Sequence, residues 1–149
     1  MIVPVVDAKH LDTMSDLVGR GLVGGLVVVG SPDAGIVSDL ADLQALAAVT
    51  PLMVAVDEEG GTVQRMADLL GTLPSARRLV DLPTGAVWSL VAGRAAALAD
   101  LGFTVDLAPV LDVGGGPGIG SRSFSDDPEI VADYGNAFAG GLLAGGLTP

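Results

Sequence analysis

Cysteine is absent from the 149 residues, which excludes disulfides and thiolate metal sites but leaves the compartment open. Positive charge is scarce. Seven Lys and Arg stand against eighteen Asp and Glu, a formal net charge of -11, so there is no basic stripe to neutralise phosphates or to dock on an anionic membrane surface. Aromatic residues make up only 3% of the chain, too few for a base-stacking platform, and nucleic acid is excluded as a partner. The opening M-I-V-P-V-V-D lacks a basic n-region and a cleavage site, and its apolar run is far shorter than the about 20 residues that span a bilayer. It reads as a first strand, and any upstream signal is left open.

Half of the residues are apolar and 17% are charged, the balance of a folded chain long enough for one real core. Strand-like and helix-like runs alternate along it. Residues 2–6, 25–29, 51–56 and 104–108 read as strands; residues 11–20, 36–49, 85–101 and 128–143 read as helices. The first helix has Leu11, Met14, Leu17 and Val18 on one face, and the third has Val91, Ala95, Ala96 and Leu98. The fourth carries Pro128 in its first turn, where proline costs nothing. Repeated β and α with short connections predicts right-handed βαβ units and a parallel sheet. About four units are present, whereas a (β/α)8 barrel needs eight and typically about 250 residues. The fold class is therefore α/β, either part of a TIM barrel or a complete open sheet of flavodoxin type. No linker or composition shift divides residues 1–149, so one domain is expected.

The segment V-A-V-D-E-E-G-G-T-V-Q-R-M at 54–66 carries the strongest functional signal. A buried strand ends in Asp57, Glu58 and Glu59 where parallel α/β folds build their sites, and Gly60-Gly61 lets the backbone turn sharply behind them. The long stretch 109–125 is the second informative region, since loops of that length in compact folds are usually functional. Its glycines, G-G-G-P-G-I-G at 114–120, match neither G-x-G-x-x-G nor the Walker spacing, which argues against a phosphate loop.

Three segments in this order, 54–66, G-F-T-V-D-L-A-P-V-L-D-V at 102–113 and I-G-S-R-S-F-S-D-D-P at 119–128, resemble the N-terminal domain of glycoside hydrolase family 3, in its β-N-acetylglucosaminidase branch. The likeness extends over V-G-G-L-V-V-V-G at 23–30, L-P-S-A-R at 73–77 and F-A-G-G-L-L-A-G-G at 138–146. It implies four βα units of a TIM barrel belonging to a retaining exo-acting enzyme that removes terminal β-linked N-acetylglucosamine in cell wall recycling. Residue by residue, Asp57 matches the family aspartate that accepts hydrogen bonds from the terminal sugar, while Arg65 and Arg122 match two arginines that hold it. In the family the motif K-H-F-P-G-H-G comes next; here the chain reaches Leu147-Thr148-Pro149 instead. The acid/base histidine and the aspartate nucleophile are thus expected downstream of Pro149, with no catalytic residue in this chain. No cofactor and no metal are implied.

Each of these residues also has a plainer reading. Asp57 could be an Asx turn or a helix cap. Arg65 could pair with Glu58 or Glu59, and Arg122 with Asp126 or Asp127, as structural ion pairs. The family usually has Gln at position 58, so Glu58 is expected to be exposed or arginine-paired rather than catalytic. Asp112 is expected to brace the loop through backbone amides, His10 to be solvated or capping, and Trp88 to be core rather than a sugar platform. The non-enzymatic alternative is a carbohydrate-binding or assembly half-barrel; the other is a flavodoxin-like nucleotide binder. A half-barrel also leaves its terminal strands unpaired, so self-association is expected.

Overall fold

The computed structural model describes residues 2–47 and 50–149. Four parallel strands form one sheet in the order β1 (Val5–Asp7), β2 (Gly25–Val29), β3 (Met53–Val56) and β4 (Val105–Asp106). The registers run Val5 to Val27, Leu26 to Val54 and Ala55 to Val105. Because the order in space repeats the order in sequence, the strands form an arc that never reverses. A flavodoxin-type sheet must reverse at a switch point, so this topology is that of consecutive barrel units and removes the open-sheet alternative.

Between the strands lie α1 (Ser15–Gly19), α2 (Ile36–Leu46), α3 (Ala67–Leu70), α4 (Ala76–Leu79) and α5 (Thr84–Asp100), and α6 (Pro128–Ala144) follows β4. The expected first helix at 11–20 is instead a 3-10 helix, Ala8–Met14, running into the short α1, with Asp7 capping it by accepting from the Lys9 amide. The second helix was expected to reach residue 49, but α2 ends at Leu46, and residues 48 and 49 lie outside those described. Residues 67–79 were read as loop and contain α3 and α4, each only four residues long and below what periodicity can detect.

One continuous core joins the strands to the helices, with Leu26, Val28, Val56, Leu79, Val87, Val91, Leu98, Phe103, Phe124 and Phe138 all buried. Side chains of this kind contribute roughly 1.5–3 kcal/mol each when removed from water. The stripe of α5 that faces this core is Val87, Val91, Ala95 and Leu98; Ala96 was expected on it and is exposed. Against it lies α6, which begins with Asp127 accepting from the Glu129 amide and Pro128 in its first turn. The two helices approach closely because Gly141 has no side chain: a Cβ there would lie 2.7 Å from the Trp88 carbonyl oxygen.

The outer edge of β4 is partly covered. The Asp106 amide donates to the Thr148 carbonyl at 3.0 Å, and the Thr148 amide donates to the Thr104 carbonyl at 3.0 Å, so Thr148 sits in parallel register beside β4. Strand four was expected to be a bare edge; residues after α6 begin a fifth strand position there.

Candidate functional site

The three acidic residues after β3 have the same chemistry in sequence and very different surroundings in space. Asp57 is half-buried at the strand's C-terminal end and accepts no hydrogen bond within the described residues; its neighbour is Arg65, whose Nη2 lies 3.8 Å from Asp57 Oδ2. The alternative reading of Arg65 as a structural ion pair named Glu58 or Glu59, not Asp57, as its partner. At 3.8 Å it is a charge contact without a hydrogen bond, and Arg65 Nε is buried with no partner. Both side chains retain about a third of their surface open to solvent, 29% for Asp57 and 34% for Arg65. Unfilled acceptor positions on Asp57 therefore face a wetted space, while the unpartnered Arg65 donor is itself buried.

Glu58 points the other way. It is 0% exposed, and its carboxylate accepts from the Arg65 amide (2.7 Å), the Met66 amide (3.0 Å), Gln64 Nε2 (3.1 Å) and Arg94 Nη1 (3.4 Å). The expectation of an arginine-paired Glu58 holds, with Arg94 of α5 as the partner. Arg94 was not singled out from the sequence, yet a signal existed: it falls seven residues after Val87 and three after Val91, on the buried stripe of α5, where an arginine requires a counter-charge.

Glu59, also buried, forms a two-pronged pair with Arg122: Nε donates to Oε2 at 2.7 Å and Nη2 to Oε1 at 2.6 Å. That geometry pushes the Arg122 pKa up from its ordinary value, first through the hydrogen bond and then through the charges of Glu59, Asp57 and Asp112. The alternative reading of Arg122 as a structural ion pair named Asp126 or Asp127 as its partner. Asp126 instead engages Arg77 at 3.1 Å, and Asp127 caps α6. Arg122 is carried to the site because the residues behind it are anchored: Ser123 Oγ donates to the carbonyls of Asp112 (2.7 Å) and Ser125 (3.0 Å), and Phe124 packs on Tyr134 and Phe138. Asp112 does brace this loop, but through its carbonyl oxygen; its carboxylate is exposed and makes no hydrogen bond among the described residues.

Asp106, inside β4, was also missed. Its Oδ1 accepts from the Glu58 amide at 2.9 Å while Oδ2 is buried without a partner. Burial raises its pKa to about 7 from an ordinary 3.8; the Glu58 amide opposes this, and the charges of Glu58, Asp57 and Glu59 add to it. The available signal was an acid within an otherwise apolar strand.

The turn that aims these groups needs glycine. Gly60 and Gly61 have φ of +93° and +62°, and a Cβ on Gly61 would lie 2.6 Å from that of Ser75. His10 is exposed on the first 3-10 helix, as expected. Trp88 is not core: it is 43% exposed on the outer surface of α5. The glycines at 114–120 lead into a three-residue 3-10 helix, Gly120–Arg122, with no α-helix N-terminus behind them to hold a phosphate. A cleft of about 720 Å³ lies apart from the Asp57 cluster, beside α2, lined by Lys9, Asp12, Asp33, Asp39, Asp42 and Asp68 among others. Among the described residues no cluster of His, Asp or Glu is arranged to hold a metal ion.

Parallel βα units with a carboxylate and two guanidiniums at the strands' C-terminal end have the architecture of a barrel-type domain. The chain belongs to glycosyl hydrolase family 3: the model of that family's N-terminal domain matches residues 3–148. It is 42% identical over 133 residues to beta-hexosaminidase LpqI of Mycobacterium tuberculosis, covering 85% of this chain and 34% of that one. A family 3 glycosyl hydrolase structure from Mycobacterium smegmatis superposes with a TM-score of 0.85 at 40% identity, over 97% of this chain and 46% of that one. The β-N-acetylhexosaminidase of Beutenbergia cavernae superposes equally well, TM-score 0.85 at 28% identity, over 99% and 49%. The chain thus spans about a third of the curated relative's length and just under half of the two solved structures. Its fold is the first part of the TIM-barrel domain of family 3 glycoside hydrolases.

Proposed function

We propose that Asp57, Arg65 and Arg122 grip the terminal sugar of a retaining exo-β-N-acetylglucosaminidase, which hydrolyses terminal β-linked N-acetylglucosamine, and that residues 1–149 form part of its single barrel domain. One observation carries the reading. Asp57 keeps unfilled acceptor positions in a half-open space beside the partly exposed Arg65, whereas the carboxylate of the next residue, Glu58, takes four donors. A ring of hydroxyls offers the donors that Asp57 lacks and the acceptors that Arg65 lacks. Arg122, charge-balanced by Glu59, is set to hold the sugar's substituents.

A retaining mechanism also needs a nucleophile and a proton donor on either side of the anomeric carbon. Glu58 is committed to its four donors and Glu59 to Arg122. The single histidine is exposed in the first βα unit. These residues bind and orient, and the reacting pair comes from outside residues 1–149.

The test compares this chain with a version extended through the complete barrel, using an aryl β-N-acetylglucosaminide. The extended protein is expected to turn over and the 149-residue chain is not. Hydrolysis by the short chain at a comparable rate, lost in Asp57→Ala, would place the chemistry in the acidic cluster itself. We further propose cell wall recycling as the setting, to be checked by release of N-acetylglucosamine from peptidoglycan fragments in preference to chitin oligosaccharides. The unpaired outer edge of β1, with Ile2 and Val5 exposed, supports self-association of the isolated chain. A stable monomer in light scattering would count against that last point.

A further inference from the structure

Glu58, expected from the sequence to be exposed or arginine-paired rather than catalytic, has both of its oxygens filled from within the protein. Oε2 takes two main-chain donors from a single turn, the amides of Arg65 and Met66, while Oε1 takes Gln64 Nε2 and Arg94 Nη1. Arg94 is itself only 8% exposed, and its Nη2 donates to the Gly71 carbonyl at 2.8 Å, where α3 ends. Gln64 adds a third tie, with Oε1 accepting from the Leu73 amide at 3.1 Å. On the far side the Glu58 amide is held by Asp106. The stretch from 64 to 73 is thereby strapped to the end of β3 through one carboxylate.

Near the start of that strap is Arg65, which, among the described residues, is the side chain that forms an ion pair with Asp57. We propose that Glu58, charge-balanced by Arg94, is the positioning residue of the sugar site: it holds the Arg65 main chain so that the guanidinium stands opposite Asp57 in the geometry that grips the sugar. This rests on the proposed sugar-binding role of Asp57 and Arg65. It also explains why a carboxylate stands at position 58. A glutamine there could accept the two amides through its oxygen, but its NH2 would face two further donors, Gln64 Nε2 and Arg94 Nη1, and would leave a nearly buried guanidinium without counter-charge.

The experiment uses the chain extended through the complete barrel, aryl β-N-acetylglucosaminide hydrolysis for KM and kcat, and amide hydrogen exchange at Arg65 and Met66. Four variants are compared: E58Q, E58Q/R94M, E58M/R94M and Asp57→Ala. Glu58→Gln alone is expected to raise KM at least about tenfold and to speed exchange at both amides. The double variant E58Q/R94M removes the stranded guanidinium while keeping an acceptor for the amides, so KM and exchange should return to within about threefold of the parent. E58M/R94M removes the guanidinium and the acceptor together; it should fold yet keep the raised KM and fast exchange.

The contrast between the two double variants separates positioning from mere packing, and it remains readable if Glu58→Gln alone fails to fold. Equal KM and equal exchange in E58Q/R94M and E58M/R94M would overturn the proposal. If Asp57→Ala leaves KM unchanged, the sugar-binding reading falls, while the exchange data still report whether Glu58 holds the Arg65 turn.

Discussion

Two sides of the nine-residue stretch from Asp57 to Arg65 behave as different regions of the molecule. On the inner side, Glu58 is sealed from solvent and saturated by four donors, Arg94 neutralises it, and Asp106 holds its amide. On the outer side, Asp57 has only a 3.8 Å charge contact, and Arg65 has a buried Nε with no partner. The alternation of the chain leaving β3 sends neighbouring carboxylates to opposite sides. The difference teaches that satisfaction, rather than residue type, separates the buried Glu58 from Asp57, the group proposed to serve a ligand. Buried polar groups are paired as a rule, and the unpartnered Arg65 Nε is an exception that the proposed sugar site would accommodate.

The largest expected effect comes from breaking the inner side. Glu58→Ala orphans two amides and leaves the Arg94 guanidinium nearly buried without its counter-charge, so chemical denaturation should show a loss of about 3–5 kcal/mol. An effect below about 1 kcal/mol would mean that water replaces the carboxylate and that the inner side is less sealed than it looks.

Breaking the outer side should do the reverse. Asp57→Ala is expected to weaken N-acetylglucosamine binding roughly tenfold to a hundredfold while leaving the unfolding midpoint nearly unchanged, because Asp57 accepts no hydrogen bond among the described residues. Calorimetric titration and thermal melts on the same samples read both quantities. A large drop in the melting temperature would move Asp57 to the inner, structural class.

Asp106 sharpens the comparison through pH. Its folded pKa of about 7 exceeds the ordinary 3.8, so the folded protein keeps a proton that the unfolded chain has released across that window. The stabilising contribution is complete below about pH 4 and is lost as pH rises through about 7. Asp106→Asn keeps an acceptor oxygen for the Glu58 amide and cannot ionise. The variant should match the parent at pH 4 and exceed it at pH 8 by on the order of 1–2 kcal/mol. Parallel stability curves for the two proteins between pH 4 and 8 would show that Asp106 is ionised throughout.

The smallest effect is expected far from the site. Arg20 and Asp16 form a 3.0 Å pair one helical turn apart with both side chains mostly exposed, and Arg20→Ala should change stability by less than about 0.5 kcal/mol. A larger loss would show that a short distance alone predicts strength in this protein, against the contrast drawn from Glu58 and Asp57.

Much of the architecture was legible before any coordinates. Strand β2 lies where its run of valines places it, and α5 and α6 begin and end within a residue of their expected limits, because seventeen-residue helices carry enough apolar repeats to fix the period. The four-residue helices α3 and α4 were not legible, since one turn holds no repeat. Helix α1 was misjudged in kind: its apolar spacing is that of an α-helix, and the first two turns tightened to 3-10 geometry behind the Asp7 cap.

The acidic cluster, its glycine turn and the two arginines were all visible as a pattern at the end of a buried strand. By itself the sequence determined that a parallel sheet would carry carboxylates and guanidiniums to its C-terminal end, because hydrophobic period and turn chemistry are local properties. Partnership was not local. Arg122 met Glu59 from 63 residues away, Arg94 met Glu58 from 36 and Asp106 met it from 48, each replacing a nearer pairing that sequence proximity favoured or filling a place that proximity left empty. Only the tertiary structure decided which carboxylate would be sealed and which left open. Burial depends on what packs over a group, and the groups packed over Glu58 come from α5 and β4, brought there by the closing arc of the sheet.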